Sequence, residues 1–215
     1  MAYDVVIFDL DGTLLDTLDD LMDSCNYALS TIGAPPRTRA EIRRFVGNGI
    51  RNLMIQAVPD GADNPKFEQA YETMQTWYKA HNQIKTAPYP GVQRLIRTLK
   101  QQGVPMAVVS NKPDASVQML VEQWFPEITF GLGEREGLRR KPERDMVDYA
   151  IAQLGQTGKK TVYVGDSEVD LTTAANAGLD CISVTWGFRD RALLVERGAK
   201  QFADTAEELL QLIRG

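Results

Sequence analysis

Val5-Val6-Ile7-Phe8-Asp9-Leu10-Asp11-Gly12-Thr13 sets an unbroken apolar run, rich in β-branched residues, directly against two aspartates and a glycine. A run this short and this apolar predicts a strand buried on both faces, as the inner strands of parallel sheets are. Comparable runs recur at Met106-Ala107-Val108-Val109, Thr161-Val162-Tyr163-Val164 and Cys181-Ile182-Ser183-Val184, with weaker candidates at Ile128-Thr129-Phe130 and Gln201-Phe202-Ala203. Between them lie helical faces: Val92, Leu95, Ile96, Leu99; Val117, Leu120, Val121, Trp124, Phe125; Met146, Val147, Ala150, Ile151, Leu154; and finally Leu209, Leu210, Ile213. Strand alternating with helix predicts an α/β fold, a doubly wound (Rossmann-like) parallel sheet covered on both faces.

One long departure interrupts that rhythm. After Leu14-Leu15 the chain keeps helical spacing through Leu18, Leu21, Met22, Cys25, Leu29, Ile32 and again through Phe67, Ala70, Tyr71, Met74, Trp77, Tyr78, His81. Asp16 or Thr17 is the expected N-cap. Pro88, Pro90 and Gly91 end the helical stretch. The expected organisation is therefore a core of residues 1–15 and 87–215 with an all-α insert at 16–86.

Composition narrows the function classes. The 215 residues carry 24 Lys+Arg against 29 Asp+Glu, a net charge of −5, so no overall positive field favours nucleic acid. No apolar run approaches the ~18 residues a membrane span needs. Met1-Ala2-Tyr3-Asp4 leads into the first strand without a basic leader, and Cys25 and Cys181 match no zinc or redox spacing. Together these predict a cytoplasmic chain with two free thiols. The single histidine, His81, falls on an apolar helix face, so catalysis by a Ser-His pair is not expected and the chemistry is sought among the acids.

Doubly wound sheets bind ligands beyond the carboxyl ends of their strands. Those ends read Asp9-Leu10-Asp11-Gly12-Thr13, then Ser110-Asn111-Lys112, then Gly165-Asp166-Ser167-Glu168-Val169-Asp170, with Lys141-Pro142 ahead of another helix. Asp9 and Asp11, two apart on extended chain, share a side; Asp166 and Asp170, four apart, are expected to share one turn of helix. Crowded carboxylates repel unless a hard cation joins them, and Mg²⁺ typically takes one or two carboxylates plus a substrate phosphate. The available nucleophile is then a carboxylate that forms an aspartyl-phosphate, with a second carboxylate moving the protons. Pro142, expected at a helix start, singles out Lys141 from Arg135, Arg139, Arg140 and Arg144.

In their order and content, Asp9-Leu10-Asp11-Gly12-Thr13, Ser110, Lys141 and Gly165-Asp166-Ser167-(x)2-Asp170 resemble the motifs of the haloacid dehalogenase (HAD) superfamily of phosphatases. The resemblance implies Asp9 as nucleophile and Asp11 as general acid/base. It implies Mg²⁺ held by the Asp9 carboxylate, the Asp11 main-chain carbonyl and Asp166. Ser110, Asn111 and Lys141 would bind the phosphoryl group, with Thr13 in support and Asp170 orienting Lys141 or metal-bound water. The insert would be the helical cap domain of such enzymes.

The substrate is expected to be a small phosphorylated metabolite. Gly47-Asn48-Gly49 precedes a helix whose first turn holds Arg51, with Arg37, Arg39, Arg43 and Arg44 nearby; free backbone N–H groups there suit a second anionic group such as a carboxylate. Phe45–Ile50, Tyr89-Pro90-Gly91-Val92 and Asp180–Arg189 look like the corresponding segments of phosphoglycolate phosphatases, which points to 2-phosphoglycolate. The alternatives are a phosphomutase acting on a hexose 1-phosphate, a pyrophosphatase or nucleotidase of the same superfamily, and a phospho-receiver switch. A receiver would need neither Asp11 nor the insert.

Overall fold

The computed structural model describes residues 2–215; Met1 lies outside the described residues. Six strands form one sheet: β1 (Val5–Phe8), β4 (Met106–Pro113), β5 (Phe130–Glu134), β6 (Thr161–Gly165), β7 (Asp180–Val184) and β8 (Gln201–Ala203). Their spatial order is β5-β4-β1-β6-β7-β8 and every pairing is parallel. The chain builds outward from β1 on one side, then returns to build outward on the other. Its direction reverses between β1 and β6, which opens a crevice beyond their carboxyl ends.

Period-2 alternation divides the apolar side chains between two layers. Val6, Phe8, Met106, Val108, Val162, Val164, Ile182 and Val184 face α5 (Val92–Gln101), α6 (Asp114–Trp124) and α10 (Ala206–Arg214). Val5, Ile7, Ala107, Val109 and Tyr163 face α7 (Asp145–Gln153) and α8 (Glu168–Ala177). In α5 the predicted stripe Val92, Leu95, Ile96, Leu99 is fully buried, and each such side chain contributes about 1.5–3 kcal/mol of transfer free energy.

Two strand boundaries differ from expectation. The fifth strand begins at Phe130, not Ile128, and runs through Gly131 and Gly133. A Cβ at Gly133 would lie 2.4 Å from Asp114 Cα and 2.5 Å from the Lys112 carbonyl. Close packing against the start of α6 selects glycine there, and glycine hides the strand from a hydrophobicity reading. Strand β4 runs past its apolar stretch and past the expected end at Ser110-Asn111-Lys112 to Pro113, its register against β5 slipping between Val109 and Pro113. Ser110, Asn111 and Lys112 occupy that irregular stretch.

The chain divides into two compact units, Met1–Leu15 with Pro88–Gly215, and Asp16–Ala87. Short strands β2 (Leu15–Asp16) and β3 (Ala87–Pro88) mark the crossings. The second unit is helical: α1 (Leu18–Thr31), α2 (Arg39–Phe45), α3 (Gly49–Ala57), a 3₁₀ turn and α4 (Phe67–His81). Helix α1 packs against α4, with Cys25, Ala28, Leu29, Ala70, Met74 and Tyr78 buried. Thr17 occupies the N-cap position of α1 but makes no side-chain capping bond; Asp16 Oδ1 instead accepts from the Leu18 N–H at 3.2 Å. The buried Asp20 carboxylate closes this unit on itself, accepting from the Lys85 and Thr86 N–H groups and the Thr86 hydroxyl at 2.8–3.0 Å. No helix among the described residues is long and apolar enough to cross a membrane.

Candidate active site

The crevice between β1 and β6 collects the predicted acids. Asp9 follows β1, its N–H donating to the Val164 carbonyl at 2.9 Å, and Asp166 follows β6. Both carboxylates are buried, as is Asp170, and each offers an oxygen within 4.8 Å of the others'. The expected helical turn shared by Asp166 and Asp170 is not the reason they meet. Helix α8 begins only at Glu168, and Asp170 completes a capping box around Ser167. Its Oδ2 accepts from the Asp166 N–H at 3.2 Å, the Ser167 N–H at 3.1 Å and the Ser167 hydroxyl at 2.6 Å. The loop after β6 is thereby folded back over its own helix N-terminus, where a carboxylate is also favoured by the helix dipole.

Lys141 enters from the loop between β5 and α7. Helix α7 starts at Asp145, so Pro142 does not open it, and what distinguishes Lys141 from its basic neighbours is burial. Arg139, Arg140 and Arg144 form surface ion pairs with Asp145, Glu134 and Asp148, whereas Lys141 is 3% exposed. Its Nζ lies 2.8 Å from Asp9 Oδ1, 2.8 Å from Asp170 Oδ1 and 3.0 Å from the Tyr163 hydroxyl. Asn111, expected at the phosphate, donates its side-chain N–H to the Lys141 carbonyl at 3.0 Å; its Oδ1 is buried with no hydrogen-bond partner among the described residues. Ser110 Oγ accepts from the Lys112 N–H at 3.3 Å, which leaves its own proton to donate.

Asp11 stands apart from the three-carboxylate cluster. Its Oδ1 is 2.9 Å from Nζ of Lys112, a side chain only 2% exposed. In sequence Lys112 is one more charge at a strand end; the slipped register of β4 is what turns it inward. Asp166 is held from the other side. Thr13 Oγ1 donates to its Oδ1 at 3.3 Å, and the Phe188 N–H donates to its Oδ2 at 2.6 Å. The segment carrying Phe188 is braced by Arg189, whose guanidinium forms a two-pronged pair with Glu168 at 2.8 and 3.2 Å, and by Trp186, whose Nε1 donates to the Thr13 carbonyl at 3.0 Å. The resemblance of Asp180–Arg189 gives these residues no place at the acids, since nothing in their local pattern shows that they return to Asp166.

Four carboxyl groups thus face two ammonium groups in a largely buried crevice, and full ionisation of all four is disfavoured there. Burial pushes the Asp9 carboxyl up to about 7, opposed by Lys141 and reinforced by the charges of Asp170 and Asp11. Burial likewise drives Asp166 well above the usual carboxylate range, with Asp170 and Asp9 adding to it. For Lys141 burial acts downward, but Asp170 and Asp9 overcome it and hold the ammonium well above its ordinary value. Such a donor set, all oxygen and short of positive charge, suits a hard divalent cation. Each Asp166 oxygen spends one lone pair on Thr13 or Phe188 and keeps another, so Asp9 and Asp166 are the carboxylates able to ligate it. The cradle is tight: a Cβ on Gly12, whose φ is +87°, would stand 2.4 Å from Asp166 Oδ2.

The predicted substrate loop lies in the helical unit. Helix α3 starts at Gly49 behind an Asn48 that makes no side-chain cap, and Gly47 and Gly49 have φ of 127° and 77°. Arg51 is turned to its own unit: it pairs with Glu68 at 2.5 and 3.1 Å and lies over the rings of Phe67 and Tyr71. His81 stacks on Trp77 and hydrogen-bonds the Trp77 carbonyl through Nδ1 at 2.8 Å.

Residues 6–184 match the family described as haloacid dehalogenase-like hydrolase. A phosphoglycolate phosphatase of Pseudomonas putida is 33% identical over 194 residues, covering 86% of this chain and 70% of that protein. A crystal structure from Lactobacillus delbrueckii subsp. bulgaricus, of a chain assigned to the phosphoglycolate phosphatases, superposes with a TM-score of 0.94 at 39% identity, covering 99% of each chain. The same fold serves a Mycobacterium tuberculosis chain named Protein Tyrosine Kinase A, with a TM-score of 0.81, 26% identity and 98% of each chain covered.

Proposed function

We propose, since this chain belongs to the haloacid dehalogenase-like hydrolases, that it is a Mg²⁺-dependent phosphomonoester hydrolase working through an aspartyl-phosphate at Asp9, with 2-phosphoglycolate as its preferred substrate. The observation that carries this reading is the meeting of Asp9, Asp166 and Lys141 at the reversal point of the sheet, with an ammonium 2.8 Å from the nucleophile's oxygen. In the first step an Asp9 carboxylate oxygen forms a bond to phosphorus while the ester P–O bond breaks. The departing alkoxide takes the Asp11 proton. In the second step water attacks phosphorus, Asp11 takes a proton from that water, and the acyl-phosphate P–O bond breaks to release inorganic phosphate and restore Asp9. Lys112, against Asp11, holds that carboxylate out of the cation cluster.

Lys141 and the Ser110 hydroxyl bind phosphoryl oxygens, and Asn111 serves by fixing the Lys141 main chain. Asp9, Asp166 and the Asp11 carbonyl are the groups that would hold Mg²⁺, with Thr13 and Phe188 orienting Asp166. When bound, the cation offsets the charge of the phosphate so that an anionic nucleophile can approach it. Asp170 orients Lys141 directly, since its oxygens are already engaged by Lys141, Tyr163 and the Asp166–Ser167 loop.

Substrate choice is assigned to the helical unit, through the Gly47-Asn48-Gly49 turn and Arg51. The names of the relatives and the open N-terminus of α3 support a second anionic group on the substrate. Fold alone does not select it, because a chain of the same fold carries a kinase name. The test is phosphate release with Mg²⁺ from 2-phosphoglycolate, pyrophosphate, nucleoside monophosphates, phosphotyrosine and β-glucose 1-phosphate, the last followed also for conversion to the 6-phosphate. A kcat/KM for 2-phosphoglycolate far above the others supports the assignment. Slow, unselective hydrolysis removes the substrate and keeps the chemistry, whereas isomerisation of the hexose phosphate makes the enzyme a mutase.

A further inference from the structure

We propose that the Tyr163 hydroxyl is a displaceable partner of Lys141, occupying in the free enzyme the ammonium proton that a bound phosphoryl oxygen takes over; this rests on the phosphatase reading above. A lysine ammonium has three N–H donors and no acceptor. All three of Lys141's are matched, at Asp9 Oδ1 (2.8 Å), Asp170 Oδ1 (2.8 Å) and the Tyr163 hydroxyl (3.0 Å). No donor is left over for substrate, so one of these bonds must yield when a phosphoryl oxygen arrives. Hydrogen bonds between ionised groups are roughly twice as strong as those to a neutral acceptor. Asp9 is ionised in the form that acts as nucleophile and Asp170 is a carboxylate, whereas the phenol carries no charge, and it is the one that gives way.

Two features make that exchange inexpensive. The hydroxyl is not stranded, because Asp170 Oδ1 and the Val109 carbonyl each lie 3.3 Å away and either accepts its single proton. Tyr163 is also completely buried in β6, packed with Val109, Met146 and Ala150, so it does not itself reach substrate. It is a positioning residue: it keeps a buried donor satisfied between turnovers and surrenders it on binding. Sequence pattern hides this role, since an aromatic residue inside a central strand reads as core.

The sign of one measurement separates this from a merely structural role. If the phenol only props Lys141 in place, Tyr163→Phe loosens the ammonium and weakens anion binding. If the phenol is displaced, Tyr163→Phe leaves a buried N–H unpartnered in the free enzyme, and phosphate binding relieves that penalty. The experiment is calorimetric titration of wild type, Tyr163→Phe and Lys141→Met with inorganic phosphate in the presence of MgCl₂, together with thermal unfolding without phosphate. The expected result is a lower Tm for Tyr163→Phe and phosphate affinity raised about threefold to tenfold. Unchanged or weakened phosphate binding in Tyr163→Phe overturns the proposal while leaving the phosphatase reading intact. Wild-type affinity in Lys141→Met removes the phosphate role of Lys141, and with it the reading underneath. Should Tyr163→Phe not fold, wild type labelled with ¹³C at the tyrosine Cζ decides: the Tyr163 resonance must move on saturation with phosphate, and a static resonance overturns the exchange.

Discussion

Gly187→Ala is the substitution that most directly probes how Asp166 is held. Gly187 has an ordinary φ, so alanine there incurs no backbone penalty, only collision. Its Cβ would lie 2.4 Å from Asp166 Cβ, 2.4 Å from the Gly12 carbonyl and 2.5 Å from Asp166 Oδ2. Comfortable contact between non-bonded carbon atoms begins near ~3.5 Å, so something must move by about 1 Å. Neither Gly12, in its own tight turn, nor Asp166, tied to Thr13 and Phe188, yields freely. Overpacking of this kind typically costs about 1–3 kcal/mol, and in a protein of this size each kcal/mol lowers Tm by roughly 2–4 °C. On the role proposed for Asp166, displacing its carboxylate weakens metal binding about 10- to 100-fold, and a ~1 Å error at a reacting centre costs up to ~100-fold in turnover.

The assay is a Mg²⁺ titration of phosphatase activity alongside Mg²⁺ binding by calorimetry. Gly178→Ala is the control: φ is +71° there but nothing lies within 4 Å of the added Cβ. That variant should lose about 1 kcal/mol of stability through backbone strain and keep wild-type Mg²⁺ affinity. If Gly187→Ala binds Mg²⁺ as wild type does, the claim that the loop after β7 sets the position of Asp166 is refuted.

Asp9→Asn should abolish turnover, by at least about 1,000-fold, with an unchanged far-ultraviolet spectrum; full activity in that variant removes the nucleophile. Glu68→Gln should free the Arg51 guanidinium from its surface pair and lower KM for 2-phosphoglycolate but not for p-nitrophenyl phosphate, and equal effects on both would take Arg51 out of substrate binding. Burial pushes the Cys25 thiol up from 9.0 to about 12, so native protein should leave it unreacted with a thiol reagent at pH 8. The folded state then binds more protons than the unfolded one above pH 9. The contribution of Cys25 is therefore intact below pH 9 and lost between 9 and about 12. Wild type minus Cys25→Ala should show that loss in denaturant titrations, at up to about 1.4 kcal/mol per pH unit.

Much of the candidate site's placement is legible in sequence because its parts obey short-range rules. Asp9 and Asp166 sit where apolar strands end, and strand ends in a doubly wound sheet are where ligands bind. Lys141 was recognisable as a residue type near a proline, though for the wrong local reason. Lys112, Tyr163 and Arg189 were not legible. Each looks ordinary in its own segment: a charge at a strand end, a core aromatic, a loop arginine. Their roles depend on partners 101, 22 and 21 residues away.

Hydrophobic period and its one interruption determined, from sequence alone, the alternating α/β core, the helical insert and the order of the acidic motifs, because burial on one or two faces imposes a repeat that the chain carries locally. Tertiary structure alone decided which acids share an ammonium and which glycines have no room for a methyl group. It also turned Arg51 toward Glu68 and folded Asp170 back onto the loop of Asp166. Those outcomes are set by distances of a few ångströms between segments far apart in the chain, and no local pattern encodes such distances.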